Sequence, residues 1–201
     1  MGRAWVAIRE DEDAAEIMGV PTFKFKLWAF IIGASIGGIS GALYAGQVTV
    51  GAQRVVAPGH LASLVNERLG VSRSHVVTQE QVDLFAESTG DHQWIHVDPE
   101  RARSGPFGTA IAHGYLTLSL APMLIADVLE VTGASRLVNY GIGKVRFPTP
   151  VPVGSTLRMA VDLVAAEETK DWVQSTWRLT FEIEGVAKPA CVAEVLMRHY
   201  S

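Results

Sequence analysis

A single cysteine, Cys191, leaves this chain of 201 residues without a partner for an internal disulfide. No Cys/His set around it has the spacing of a zinc site. It lies in an alternating apolar segment, where core packing is its expected role. Positive charge is also short: 17 Lys and Arg stand against 21 Asp and Glu, a net charge of −4 with a pI near 5.9. That balance gives no basis for nucleic-acid binding. No tandem repeat or low-complexity stretch is visible. The P-loop and the dinucleotide-binding fingerprint are both missing. Apolar residues, in contrast, make up 48% of the chain, enough for a real core in one or two domains.

The apolar residues are unevenly spread. From Leu27 to Val50 there is no charged side chain. Within that run, residues 27–46 are long enough to span a bilayer as a helix. Gly33, Gly37 and Gly41 recur at the spacing of closely packed membrane helices. Trp28 and Tyr44 stand near the two ends, where aromatic belts lie. The acidic cluster Glu10-Asp11-Glu12-Asp13 does not suit the start of a signal peptide. The bland alternative is a buried, glycine-rich helix of a soluble protein.

Gln53 to Pro58 reads as a junction punctuated by Gly51, Pro58 and Gly59. Beyond it, His60–Leu69 has helical apolar spacing at Leu61, Leu64, Val65 and Leu69, with Gly70 as a stop. His75-Val76-Val77 reads as a short strand. Thr78-Gln79-Glu80-Gln81 fits a capping box, opening a helix with Val82, Phe85 and Ala86 on one face. Thr89-Gly90 ends it, because glycine readily takes the left-handed conformation of a C-cap. Asp98-Pro99 starts another short helix. From His113 to about Leu129 the residues are apolar nearly all round, predicting a long buried helix that Pro122 should bend or restart. A strand is expected within residues 136–145. Period-two alternation then runs through Leu157–Val164, Val173–Glu184 and Cys191–Met197. One buried helix followed by long antiparallel strands predicts an α+β fold, with the sheet wrapped on the helix.

The chemistry gathers in Thr89-Gly90-Asp91-His92-Gln93-Trp94-Ile95-His96 and in Ala112-His113-Gly114-Tyr115. Asp91 and His96 are a carboxylate and an imidazole five residues apart, able to share a proton and a water. Taken singly, Asp91 could be turn chemistry and His96 an ordinary core or surface histidine. Gly114 begins the long helix, whose unpaired N–H groups can hold a developing oxyanion. His113 reads as a cap or ligand of that helix, and His92 as loop structure or a pocket wall. His60, His75 and His199 show no constellation. Ser88 and Ser119 lack the surroundings of a nucleophile. A metal on His92, His96 and His113 is not expected, since no evident helix carries the first two.

Two resemblances carry these readings further. Gly2–Glu16, Met18-Gly19-Val20, Lys26-Leu27 and Ser40–Gly46 resemble the permease subunit of branched-chain amino-acid ABC transporters, over about residues 1–47. One helix cannot form a translocation path, so transport does not follow. From about Val55 to Ser201 the chain resembles the MaoC-like (R)-specific enoyl-CoA hydratases, also called 3-hydroxyacyl-thioester dehydratases. Phe85–Ala102 carries that likeness. So do Gly105–Thr109, Ile111–Tyr115, Asn139-Tyr140-Gly141, Lys144–Pro148 and Pro150–Ser155.

The second resemblance implies a single hotdog fold in residues 54–201, a homodimer with the site at its interface, and the dyad Asp91–His96. Gly114, with His113 and Tyr115, would serve the oxyanion and the substrate. Gln93-Trp94 departs from the family's usual Asn-Pro and could reshape the pocket. The implied reaction is the reversible hydration of trans-2-enoyl-CoA to (3R)-hydroxyacyl-CoA in fatty-acid metabolism. It needs no metal or redox cofactor, and CoA or an acyl-carrier thioester is the substrate handle. The alternatives are a hotdog acyl-CoA thioesterase and a non-catalytic membrane-associated module. Positive charge before residue 27 would hold the N-terminus in the cytoplasm and export the rest, which conflicts with a cytoplasmic thioester substrate. Residues 1–53 are therefore expected to be a fusion remnant or a misassigned start.

Overall fold

The computed structural model describes residues 53–200. The expected membrane helix at 27–46 lies outside the described residues. Among the described residues, no helix is long and apolar enough to cross a membrane.

The stretches read as strands after residue 135 become long strands. These are β5 (Arg136–Arg146), β6 (Thr156–Glu168), β7 (Trp172–Ile183) and β8 (Cys191–Tyr200). With β2 (Arg68–Val71) and β3 (His75–Val76) they form one antiparallel sheet of six strands. Its order is β2-β6-β7-β8-β5, and β3 also pairs with β6. Alternation puts Trp177, Leu179 and Phe181 of β7 inward, beside Cys191, Ala193 and Met197 of β8. The outward positions carry charge, paired as Arg158–Glu182 and Arg178–Glu194. The core lies between the sheet's inner face and a set of short helices, whose Val82, Leu116 and Leu124 join it.

Those helices are α1 (Gln79–Thr89), α2 (Trp94–Val97), α3 (Pro99–Arg103), α4 (Gly114–Ser119) and α5 (Ala121–Ala126). The α+β class and the wrapped sheet agree with the sequence. The single long helix does not: it is α4 and α5, separated at Leu120. Pro122 stands in the first turn of α5, where its missing N–H costs nothing. The apolar run then leaves helix altogether. Leu129 belongs to β4 (Leu129–Val131), which pairs in parallel with β1 (Arg54–Val56).

The expected helix over 60–69 is also absent. Pro58–Leu64 is a 3₁₀ turn, and Asn66 then takes a left-handed φ of 69°, which ends helical propagation. Arg68 and Leu69 enter β2 because tertiary pairing overrides local periodicity. Arg68 Nε donates to Asp162 Oδ1 on the neighbouring β6 at 2.8 Å, and Leu69 is buried. The junction read at 53–58 is likewise structured, since β1 begins at Arg54 and Gln53 Nε2 donates to the Ala126 carbonyl at 2.9 Å.

Candidate active site

The capping box predicted at Thr78 is formed: the Thr78 hydroxyl accepts from the Gln81 amide, and Gln81 reaches back to the Thr78 N–H. At the other end, Gly90 closes α1 with φ 77° and donates its N–H to Ala86. The chain therefore leaves α1 in a defined direction, and Asp91 follows at once. The Asp98 side chain caps α3 by accepting from the Arg101 amide at 3.0 Å. Between these two helices α2 carries His96 inward. Gln79 Nε2, on the first turn of α1, donates to the His96 carbonyl at 2.8 Å. Backbone and side-chain bonds thus fix where His96 sits.

A second strip of chain completes its surroundings. The Ile111 N–H donates to the Ile95 carbonyl at 3.0 Å, and the Ala112 N–H to the Val151 carbonyl at 2.8 Å. Ile111 also forms an isolated bridge with Pro152. The Ile111 carbonyl then lies 2.6 Å from His96 Nδ1. A carbonyl can only accept, so Nδ1 carries the proton and Nε2 presents a lone pair. Burial lowers the His96 pKa below 6.5. The His113 ring adds to that lowering, while the Ile111 bond and the Asp91 charge oppose it. The ring is accordingly neutral near pH 7 and basic at Nε2.

His113 is nearly fully enclosed, at 2% exposure. Its ring stacks on His96 with centroids 3.8 Å apart, and Phe85 packs against it at 5.0 Å. It occupies the N-cap position of α4, but its side chain makes no capping bond. Instead Nε2 lies 2.9 Å from the Asp91 carbonyl, which ties the Asp91 loop to the start of α4. Side-chain ligand atoms of Asp91, His96 and His113 all lie within 4.8 Å of one another. The triplet that could hold a cation therefore contains Asp91. His92 points elsewhere, exposed and 3.9 Å from Glu87.

Gly114 opens α4, and the first turn-closing bond of that helix runs from the Thr117 N–H to the His113 carbonyl. The Gly114 amide precedes it and is one of the N–H groups a helix start leaves without an intrahelical partner. A Cβ at Gly114 would stand 3.1–3.2 Å from the Phe147 ring. Glycine is thus what lets that ring lie against the backbone here. Tyr115 is 71% exposed and meets Phe147 edge-on at 6.0 Å. It also lines a cavity of about 600 Å³ with Leu118, Pro122, Ile142 and Met197. Trp94 does not shape that cavity. It lies under the Arg101 guanidinium at 4.5 Å and touches Gly105, bracing α2 against α3.

The structure thus gathers Asp91, His96, His113 and Gly114, and it sets Tyr115 at a cavity mouth. Sequence reasoning missed Ile111, which acts through its backbone carbonyl and has no side-chain signal. It also missed Phe147, and it read His199 as isolated. His199 is buried, with Nε2 2.8 Å from Ser175 Oγ, which also accepts from Trp177 Nε1 at 2.7 Å. The inward alternation of β7 and β8 was the signal that could have found this trio. Ser88 and Ser119 bond backbone carbonyls of their own helical turns. Cys191 is buried, which pushes its thiol up to about 12.

Residues 61–181 match the MaoC like domain family. The chain belongs to the MaoC-like family. Membership makes it a hydro-lyase of the dehydratase type. It is 54% identical over 140 residues to 3-hydroxyacyl-thioester dehydratase Z of Mycobacterium tuberculosis, covering 69% of this chain and 93% of that protein. Nodulation protein N of Rhizobium leguminosarum is 40% identical, over 65% of this chain and 83% of its own length. Among solved structures, the (R)-hydratase of A. caviae involved in PHA biosynthesis superimposes with a TM-score of 0.55 at 26% identity, over 65% of this chain and 95% of that one. Residues 1–59 match a second family, the permease component of branched-chain amino acid transport systems. The resemblance read over 1–47 is borne out, and the MaoC-like domain follows it in the chain.

Proposed function

We propose that the MaoC-like domain reversibly hydrates a trans-2-enoyl thioester to the (3R)-hydroxyacyl thioester, in fatty-acid metabolism. CoA or an acyl-carrier pantetheine arm is the handle of the substrate. The observation that carries the reading is the His96 tautomer. With Nδ1–H given to Ile111, the free lone pair is on Nε2, and a carboxylate oxygen of Asp91 lies within 4.8 Å of a ring nitrogen of His96. A water held between them loses a proton to Nε2, and its oxygen attacks C3 of the enoyl group. The C2–C3 π electrons shift toward the thioester, and its oxygen gains the charge. The Gly114 amide donates to that oxygen; losing such a donor typically costs about 3 to 4 kcal/mol of barrier. The proton then passes to C2 on the same face, and the dyad is regenerated. No metal or redox cofactor enters these steps. The acyl chain occupies the cavity beside Tyr115.

The working unit in this reading is a homodimer with the site at its interface. Edge strand β5 supports it, because Leu137, Tyr140 and Ile142 are more than half exposed there, and such an edge invites pairing. A cytoplasmic location for the domain fits a CoA or carrier substrate, and residues 1–53 have no role in the chemistry. The test is loss of enoyl-thioester absorbance with crotonyl-CoA and a longer enoyl-CoA, followed by product analysis with an (R)-specific dehydrogenase. A (3R) product supports the hydratase. Free CoA with no hydroxyacyl product would sink it in favour of a thioesterase.

A further inference from the structure

Residues 90–93 carry one half of the dyad, and their hydrogen bonds are nearly all local. The Gly90 N–H donates back to Ala86, and the His92 N–H to the Gly90 carbonyl at 3.2 Å. The Asp91 N–H reaches Thr89 Oγ1 only at 3.5 Å. The Gln93 carbonyl accepts from His96 and Val97, a few residues ahead. Among the described residues, a single hydrogen bond joins this segment to chain outside residues 86–98. It links His113 Nε2 to the Asp91 carbonyl at 2.9 Å, across 22 positions. The carbonyl can only accept, so Nε2 carries the proton.

The same ring is fixed on its other sides. One face stacks on His96 at an interplanar angle of 27°, and Phe85 packs against the ring. The backbone of His113 leads directly into Gly114. One enclosed residue is therefore bonded to the Asp91 loop, stacked on His96 and joined to the oxyanion donor. Its Nδ1, left with a lone pair, is buried and has no partner among the described residues. An unsatisfied buried nitrogen costs stability, and an apolar ring of similar size would pack there without it. Packing alone does not account for a histidine here. The bond to Asp91 is what the imidazole adds.

We propose that His113 is a positioning residue, setting the separation of Asp91 and His96 so that the two share one water. The proposal rests on the hydratase reading and adds the device that holds the two halves of that site in register. Shielded from solvent, His113 acts through Asp91 and not on the substrate.

The experiment uses the full-length protein and three variants. His113→Phe keeps an aromatic ring on His96 and loses the donor. His113→Gln places an amide nitrogen near the position of Nε2, within reach of the Asp91 carbonyl. His113→Asn places one near Nδ1, out of reach. In enoyl-CoA hydration, kcat per folded enzyme should fall about 10²-fold in the Phe and Asn variants, as for a misplaced catalytic group. The Gln variant should stay within about fivefold of wild type, and KM should change by less than about threefold throughout. Added to Asp91→Asn, His113→Phe should cost less than about threefold more, because the group it positions is already gone.

A merely structural role would give equal kcat in the Gln and Asn variants once the folded fraction is known from urea unfolding, and that would overturn the proposal. A full further loss from His113→Phe in the Asp91→Asn background would overturn it too. The Gln–Asn comparison stands whether or not His113→Phe folds. If the wild type hydrates no enoyl-CoA, the hydratase reading has failed, and NMR then decides the tether by itself. Backbone order parameters at Asp91 and His92 should be about 0.85 in the wild type and the Gln variant, and below about 0.6 in the Asn variant. Equal values in the Gln and Asn variants would overturn the tether.

Discussion

Asp91 and His96 are asked to do one job in the proposed hydration, yet they sit in different physical environments. That difference gives a sharp expectation for their variants. The Asp91 side chain is exposed and makes no hydrogen bond among the described residues. Asp91→Asn keeps the backbone bonds of the loop and should shift stability by less than about 0.5 kcal/mol, as surface changes usually do. General base catalysis is worth about 10²- to 10⁴-fold, about 3 to 5 kcal/mol of barrier, and kcat should fall by that amount.

His96→Ala should lose as much activity and also weaken the fold. It strands the Ile111 carbonyl, which now accepts from Nδ1 at 2.6 Å, in a place where Ile111 is 6% exposed. An orphaned buried acceptor costs about 1 to 3 kcal/mol, and the lost stack on His113 adds to it. With a urea slope of about 2 kcal/mol per molar, the midpoint should drop by about 0.5 to 1.5 M. Enoyl-CoA absorbance and urea unfolding followed by Trp fluorescence read the two effects separately. Asp91→Asn turnover within tenfold of wild type would refute the dyad. An unchanged midpoint for His96→Ala would refute the account of how the ring is held.

Further expectations follow from burial and close packing. His96 and His199 both titrate below 6.5 because they are buried, so just below that pH the unfolded chain binds more protons than the folded one. Stability should therefore be full above pH 6.5 and fall as pH drops below it; urea midpoints between pH 7.5 and 5 measure this, and a flat profile would contradict it. A Cβ at Gly105 would stand 2.9 Å from two Trp94 ring carbons, so Gly105→Ala should displace Trp94 and cost about 1 to 3 kcal/mol, with kcat reduced because α2 carries His96. Cys191, with its thiol pushed up to about 12, should react with a thiol reagent only after unfolding; rapid labelling of the native protein would show that β8 opens.

Local chemistry alone determined several parts of this protein. The capping box at Thr78, the glycine stop at Gly90 and the Asp98-Pro99 helix start were legible because each is written in residues within one turn of each other. The strands β6, β7 and β8 were legible because a two-sided sheet imposes period two on the side chains. The closeness of Asp91 and His96 was legible for the same local reason, since five residues separate them, with Asp91 just past the end of α1 and His96 on α2.

Tertiary contact decided the rest. Leu69 and Leu129 continue helical apolar patterns, but each is in a strand because β6 and β1 offer backbone partners there. His113 sits at a helix start, and only the folded chain turns its ring onto His96 and toward the Asp91 carbonyl. The tautomer of His96 depends on a backbone carbonyl fifteen residues away, which no side-chain pattern can announce. His199 looked solitary in the sequence, and the pairing of β7 with β8 placed Ser175 beside it. Periodicity and capping report what a segment prefers by itself, whereas a catalytic proton's position depends on which distant groups the fold brings within hydrogen-bond reach.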